Sequence, residues 1–303
     1  MQPPNAIREA IAQNGTTLSH DTAQVFRQLY AQHHQESGAS KYYAILRNNI
    51  SYGPHERNVL DVYVPQDTST HPRCVMSFVP GGGCLDKSHI VTRFFTSPTG
   101  NYFASHGMVV VIINYRLVPS VTYPGGSEDI QTTREWIYNN IHKPEYGNGD
   151  PEKVVFIGHS AGGMHLATNI YYAAGDALTP LVPPLAGVVY ISVPFSYDTS
   201  PKNRKGAVRA YYETEDDKRI HSLAPIGLIE ASPSESSVLD PKKLPCLFVA
   251  FVDSYRARSP RGILPELAII PEHNHISNVS SIGTEDDVQG RLLREFILKV
   301  CLK

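Results

Sequence analysis

KVVFIGHSAGG, residues 153–163, is the stretch that decides how this chain is read. An apolar, β-favouring run from Val154 to Ile157 leads into Gly158-His159-Ser160-Ala161-Gly162, and a helix-like segment follows from Gly162 to Ala174. The pattern G-x-S-x-G between a strand and a helix marks a sharp turn with a serine at its apex. Such a turn strains the serine backbone, and bulky side chains two residues before or after would collide across it. Gly158 and Gly162 meet that demand. The turn aims the Ser160 hydroxyl away from the sheet and sets the Ala161 amide at a helix N-terminus, where developing negative charge is favoured.

Outward from this stretch, short apolar runs alternate with helix-like segments. Strands are expected at Cys74 to Pro80, Met108 to Asn114, Lys153 to His159, Gly187 to Ser192 and Leu247 to Val252. Helices are expected at Arg93 to His106, Ser127 to Ile141, Gly162 to Ala174 and Asp287 to Leu302. Runs such as VVVII, 109–113, are apolar without alternation, as suits strands covered on both faces. The rhythm predicts an α/β fold with a mostly parallel central sheet and helices on both faces. Tyr42 to Tyr52 and Asn58 to Val64, joined by Gly53-Pro54, read as an antiparallel hairpin at the sheet edge. One domain spanning 1–303 is expected, with residues 1–40 and 195–243 outside the alternation as small cap elements or surface excursions.

The 303 residues carry 27 Lys plus Arg against 29 Asp plus Glu, a net charge of −2, which supplies no basic stripe for phosphates. Nucleic acid is therefore not an expected partner. The first fifteen residues, MQPPNAIREAIAQNG, are polar, and no apolar run approaches the roughly 18 residues that span a bilayer. A cytoplasmic protein with no membrane partner is expected. Cys74, Cys84, Cys246 and Cys301 are widely spaced, form no metal-ligand pattern and read as reduced thiols. In that setting the N-x-S/T matches at Asn14, Asn49 and Asn278 carry no meaning. The QHHQE run, 32–36, reads as a surface helix rather than a metal site, and no cofactor is called for.

A second feature bears on chemistry. CVMSFVP, 74–80, runs into Gly81-Gly82-Gly83, where three residues without side chains expose backbone amides and admit a carbonyl closely. Gly82, Gly83 and Ala161 are the expected oxyanion donors. A phosphate loop would end in G-K-[ST], and this one does not. Cys84 lacks an evident basic activator and is not expected to act as a nucleophile.

On these motifs the chain resembles the α/β-hydrolase superfamily, in the branch that holds hormone-sensitive-lipase-like esterases and kynurenine-formamidase-like enzymes. NYRLVP, 114–119, is similar to that branch's strand-end segment, and YPGGSEDIQTTREWI, 123–137, to its following helix, with Asp129 as an acidic residue. The branch's histidine ahead of the glycines is Pro80 here. The resemblance implies the order nucleophile, acid, histidine. It places the acid at Asp253, at the end of LPCLFVAFVD, and the histidine at His275 in ELAIIPEHNHIS. His273 is the alternative histidine, and Asp240, Glu266 or Glu272 are alternative acids. His159 reads as packed beside the nucleophile.

The expected function is a serine hydrolase that cleaves a small-molecule carboxylic ester or amide through an acyl-enzyme, with Ser160, His275 and Asp253 as its triad. Similarity to filamentous-fungal accessory enzymes suggests a tailoring role in natural-product biosynthesis. Three other readings stay open: a kynurenine-formamidase-type amidohydrolase, a non-hydrolytic cyclase or condensation catalyst, and a ligand-binding member without catalysis. The paired tyrosines 42–43, 171–172 and 211–212 are candidates to line a pocket, or to pack at an interface with a wet hydroxyl.

Overall fold

A computed structural model describes residues 5–14, 20–36, 43–67, 69–82, 89–172, 181–197, 202–233, 236–249, 265–270 and 272–302. The chain begins with helices α1 (Asn5–Asn14) and α2 (His20–Glu36), followed by β1 (Ile45–Ser51), β2 (Val59–Val64) and β3 (Arg73–Val79). Next come α3 (His89–Ser105), β4 (Val109–Asn114), α4 (Gly125–Asn140), β5 (Gly149–His159), α5 (Ser160–Tyr172) and β6 (Gly187–Ile191). Three helices precede the next strand: α6 (Lys202–Tyr212), α7 (Asp217–Leu223) and α8 (Pro225–Ala231). The last elements are β7 (Cys246–Val249), β8 (Glu266–Ala268), α9 (Ser277–Ser280) and α10 (Val288–Cys301).

The eight strands form one sheet in the order β1-β2-β4-β3-β5-β6-β7-β8. β2 runs antiparallel to both β1 and β4, and every other pairing is parallel. The hairpin and the α/β rhythm thus stand as the sequence predicts. Of the run expected to reach Val252, the described part is Cys246–Val249, and β8 is a short strand beyond it.

Period-two alternation along strands that look uniformly apolar divides the core in two. Val109, Val111 and Ile113 of β4 pack with Ile130 and Ile137 of α4 and with Met164 and Ile170 of α5. Val110 and Ile112 face the other way, to Phe103 of α3 and Leu293, Phe296 and Ile297 of α10. Helices α6 to α8 add to the first face, where Tyr211, Tyr212, Ile220, Ile226 and Ile229 are buried. Helices α1 and α2 form a smaller cluster of Ile7, Phe26 and Tyr30 against Ile276. In α2, His33 pairs with Glu285 at 2.7 Å and His34 Nε2 lies 2.8 Å from the Ser280 carbonyl, so this histidine run fastens the helix to the α9 region.

Two buried polar groups hold the layer that carries the site. Asp129, 3% exposed, accepts from Arg116 Nε at 2.8 Å and from the Arg116 backbone amide at 2.8 Å, which locks α4 to the segment after β4. His165 of α5 lies in the space left by Gly126, where a Cβ would come within 2.2 Å of its Nδ1, and Tyr211 Oη is 3.2 Å from the same nitrogen. Burial pushes the His165 pKa down to about 3.

Removing Asp129 takes from Arg116 its buried partner and leaves only Glu128, 3.5 Å away at the surface, among the described carboxylates paired with it. Asp129→Ala is expected to lower unfolding free energy by about 3 kcal/mol in chemical denaturation, and a loss below about 1 kcal/mol would deny the pair its structural role. An unfolded His165, with an ordinary pKa near 6.5, takes up a proton that the buried ring refuses. Stability is therefore expected to fall as pH drops below about 6.5, at up to about 1.4 kcal/mol per pH unit for this group. Denaturation series at several pH values should give a shallower slope for His165→Gln, and equal slopes would refute the assignment.

Candidate active site

The site is built at the C-terminal ends of β3 and β5, where the crevice of an open parallel sheet lies. Ser160 opens α5 directly after β5, at φ +52°. A serine in the left-handed region holds strain of order 1–3 kcal/mol that the surroundings must enforce. They do so by close packing at glycines. A Cβ on Gly158 would lie 2.4 Å from Gly163 Cα, and one on Gly162 would lie 2.3 Å from the Pro80 carbonyl oxygen. The absent side chains let α5 press against the ends of β3 and β5, which leaves the serine no relaxed alternative.

The loop after β3 closes over the same point. A Cβ on Gly81 would fall 2.8 Å from Ser160 Cβ, whereas one on Gly82 would meet only Tyr115 Oη, at 3.9 Å. The first glycine is thus an approach surface for the serine, and, its chain neighbours aside, a Cβ on the second would meet no described atom closer than Tyr115 Oη. Tyr115 Oη donates to the Pro80 carbonyl at 2.9 Å and anchors the start of this loop. Tyr115 is itself held at its carbonyl by Arg57 Nε at 3.0 Å. Pro80, which stands where the resembled branch has histidine, therefore contributes a carbonyl that both Tyr115 and Gly162 contact.

His275 arrives from the other side, after β8. Its Nε2 is 2.8 Å from Ser160 Oγ. The loop that carries it is fixed at both ends of a short span: Asn274 Oδ1 accepts from the amides of Ile276 and Ser277 at 2.9 Å each, and Ser277 Oγ accepts from the Asn274 amide at 2.8 Å. Asn278 Nδ2 donates to Ser192 Oγ at 3.0 Å, just past the end of β6. Ile276 packs into the α1–α2 cluster, so the N-terminal helices cover the histidine loop. His159 is buried beside the serine, with its ring centroid 4.9 Å from that of His275 and its Nε2 2.9 Å from the His275 carbonyl oxygen. Burial, with His275 close by, pushes the His159 pKa down to about 3.

Of the residues expected from sequence, Ser160, His275, Gly82 and Ala161 converge here, and Asp253 and Gly83 lie outside the described residues. The alternative histidine faces elsewhere: His273 Nε2 pairs with Asp286 at 3.3 Å and its Nδ1 with Ser277 Oγ at 3.1 Å. Among the alternative acids, Glu266 pairs with Lys299 at 2.5 Å and Asp240 accepts from the Lys242 amide at 3.0 Å. Glu272 sits in a turn at φ +61°. Asp129, singled out from its motif, serves Arg116. Sequence reading missed the Tyr115–Pro80 bond, for which the tyrosine of NYRLVP was the available signal. It also missed the covering of the histidine loop by α1 and α2, which no local pattern announces.

A serine and a histidine in hydrogen-bond contact, at the N-terminus of a helix, form an arrangement suited to acyl transfer. The BD-FAE family matches residues 60–178, from β2 past the end of α5. The chain is 27% identical over 202 residues to a probable isoprenylcysteine alpha-carbonyl methylesterase, ICMEL1, of Oryza sativa subsp. japonica, covering 63% of this chain and 45% of that protein. It is 30% identical over 226 residues to the non-reducing polyketide synthase ascC of Acremonium egyptiacum, covering 72% of this chain and 10% of the synthase. The chain spans less than half the length of these curated relatives. Its fold is shared with esterase B of Lactobacillus rhamnosis, solved with a C4-C4 SN3 tributyrin phosphonate, at TM-score 0.65 and 15% identity over 94% of this chain and 97% of that one. Strand order, elbow and relatives agree: the chain has the α/β-hydrolase fold, and over part of its length it is similar to proteins of esterase type.

Proposed function

We propose that this protein is a serine hydrolase of small-molecule carboxylic esters. The observation that carries the reading is the 2.8 Å contact between Ser160 Oγ and His275 Nε2 at a strained strand-to-helix turn. The serine hydroxyl is a weak nucleophile until a neutral imidazole accepts its proton. His275 takes that proton as Oγ attacks the ester carbonyl, then returns it to the departing alkoxide, leaving an acyl-serine. Water, deprotonated by the same imidazole, releases the acid and regenerates the hydroxyl. Asp253 orients the His275 ring and stabilises the imidazolium without taking its proton. The amides of Gly82, Gly83 and Ala161 donate to the tetrahedral oxyanion, and the α5 N-terminus adds its dipole.

The relatives support esters over amides, since the match of ICMEL1 is to a methylesterase by name. The match to a polyketide synthase supports an ester of a polyketide-like natural product as the substrate class and a tailoring role in its biosynthesis.

A fluorophosphonate probe and p-nitrophenyl acetate test the reading together. Wild-type protein should label and turn over, Ser160→Ala should do neither, and His275→Ala should lose about 10³-fold or more in kcat. A wild type that neither labels nor turns over would sink the proposal. Asp253→Asn should cost about 10⁴-fold in kcat, and a loss below tenfold would move the acid's role to another carboxylate. Gly81→Ala, which sets a methyl group against Ser160 Cβ, should slow labelling by at least about tenfold, and an unchanged rate would mean that the loop yields freely.

A further inference from the structure

We infer that His159, the variable residue of the elbow, is a positioning residue that holds His275 against Ser160 in a single orientation. The inference rests on the reading of Ser160 and His275 as nucleophile and base. A peptide carbonyl can only accept, so the 2.9 Å contact from His159 Nε2 to the His275 carbonyl oxygen requires the proton of His159 to sit on Nε2. Nδ1 then carries the lone pair, on the side where Gly81 passes, 3.1 Å from the point a Gly81 Cβ would occupy. His159 thereby lies between the loop that bears the base and the loop expected to bear oxyanion donors, one residue from the nucleophile.

The environment keeps this ring in one state. His159 is 8% exposed, and burial holds its pKa down at about 3, so the ring is neutral near pH 7. A cationic ring here would stand with its centroid 4.9 Å from another that must itself become cationic during the reaction. A neutral donor does the opposite: it satisfies the His275 carbonyl at every stage and opposes nothing. An apolar side chain of similar size would fill the space but remove this donor from the His275 carbonyl, loosening the hold on the base. His273, two residues earlier, is held by Asp286 and Ser277, which gives the loop anchors besides His159.

The test compares His159→Leu, His159→Gln and His159→Asn in the full chain. The glutamine amide reaches the position of Nε2, whereas leucine offers no donor and asparagine is too short. Turnover of p-nitrophenyl acetate is expressed per active serine, counted by fluorophosphonate bound at completion, with thermal unfolding followed alongside. His159→Leu and His159→Asn should lose about tenfold in kcat with KM within about twofold of wild type, and His159→Gln should recover to within about threefold. If His159→Leu fails to fold, the glutamine and asparagine pair decides alone. Equal losses in the glutamine and asparagine variants, or full kcat per site in His159→Leu, would overturn the inference while wild-type labelling leaves the hydrolase reading intact. A wild type that binds no probe would overturn both.

Discussion

The constraint on which everything else depends is the backbone of Ser160, held at φ +52° between the end of β5 and the first turn of α5. A strand that stops and a helix that starts with no intervening loop bring main chain against main chain. Gly158, Gly162 and Gly163 are the residues that permit it, since a Cβ at any of them would lie within 2.1–2.4 Å of a neighbouring atom. The contact transmits in both directions. It presents the serine hydroxyl to the crevice, and it seats α5 so that its side chains complete the core beneath α4 and α8.

The remaining parts of the site are tethered to that point by polar contacts rather than by apolar packing alone. Tyr115, at the end of β4, holds the Pro80 carbonyl, and Pro80 opens the glycine loop. Asn274, Ser277 and Asn278 shape the histidine loop and tie it to the end of β6. Each is a bond to backbone, or from a side chain beside it, and each fixes a loop whose own sequence has little means of packing itself. Loops that carry function on a rigid scaffold require such ties, because their backbone groups must be satisfied wherever they are buried.

Burial sets the electrostatic character of the region. His159 and His165 lie under and behind the serine, both with pKa values near 3, so this part of the core contributes hydrogen bonds without charge. One layer out lies a charged pair, Arg116 with Asp129 beneath the β4 segment.

The order of strands and helices was legible in the sequence because strand and helix impose different periods on apolar residues, and Gly and Pro punctuate the changes. The elbow was legible for the same local reason: its glycines answer a collision between residues that are close in the chain. The partner of the serine was legible only through the resemblance, which favoured His275 over His273, two residues apart and alike in local pattern. Their division of labour, one on Ser160 and one on Asp286, arises from where the loop meets the start of α5 and the chain around residue 286, contacts 115 and 13 residues away. The clasp of His159 on the His275 carbonyl, the anchoring of Pro80 by Tyr115 and the covering of the histidine loop by α1 and α2 are likewise products of tertiary structure. Sequence alone determines what repeats or collides along the chain, whereas a hydrogen bond between distant loops exists only once the sheet has set them side by side.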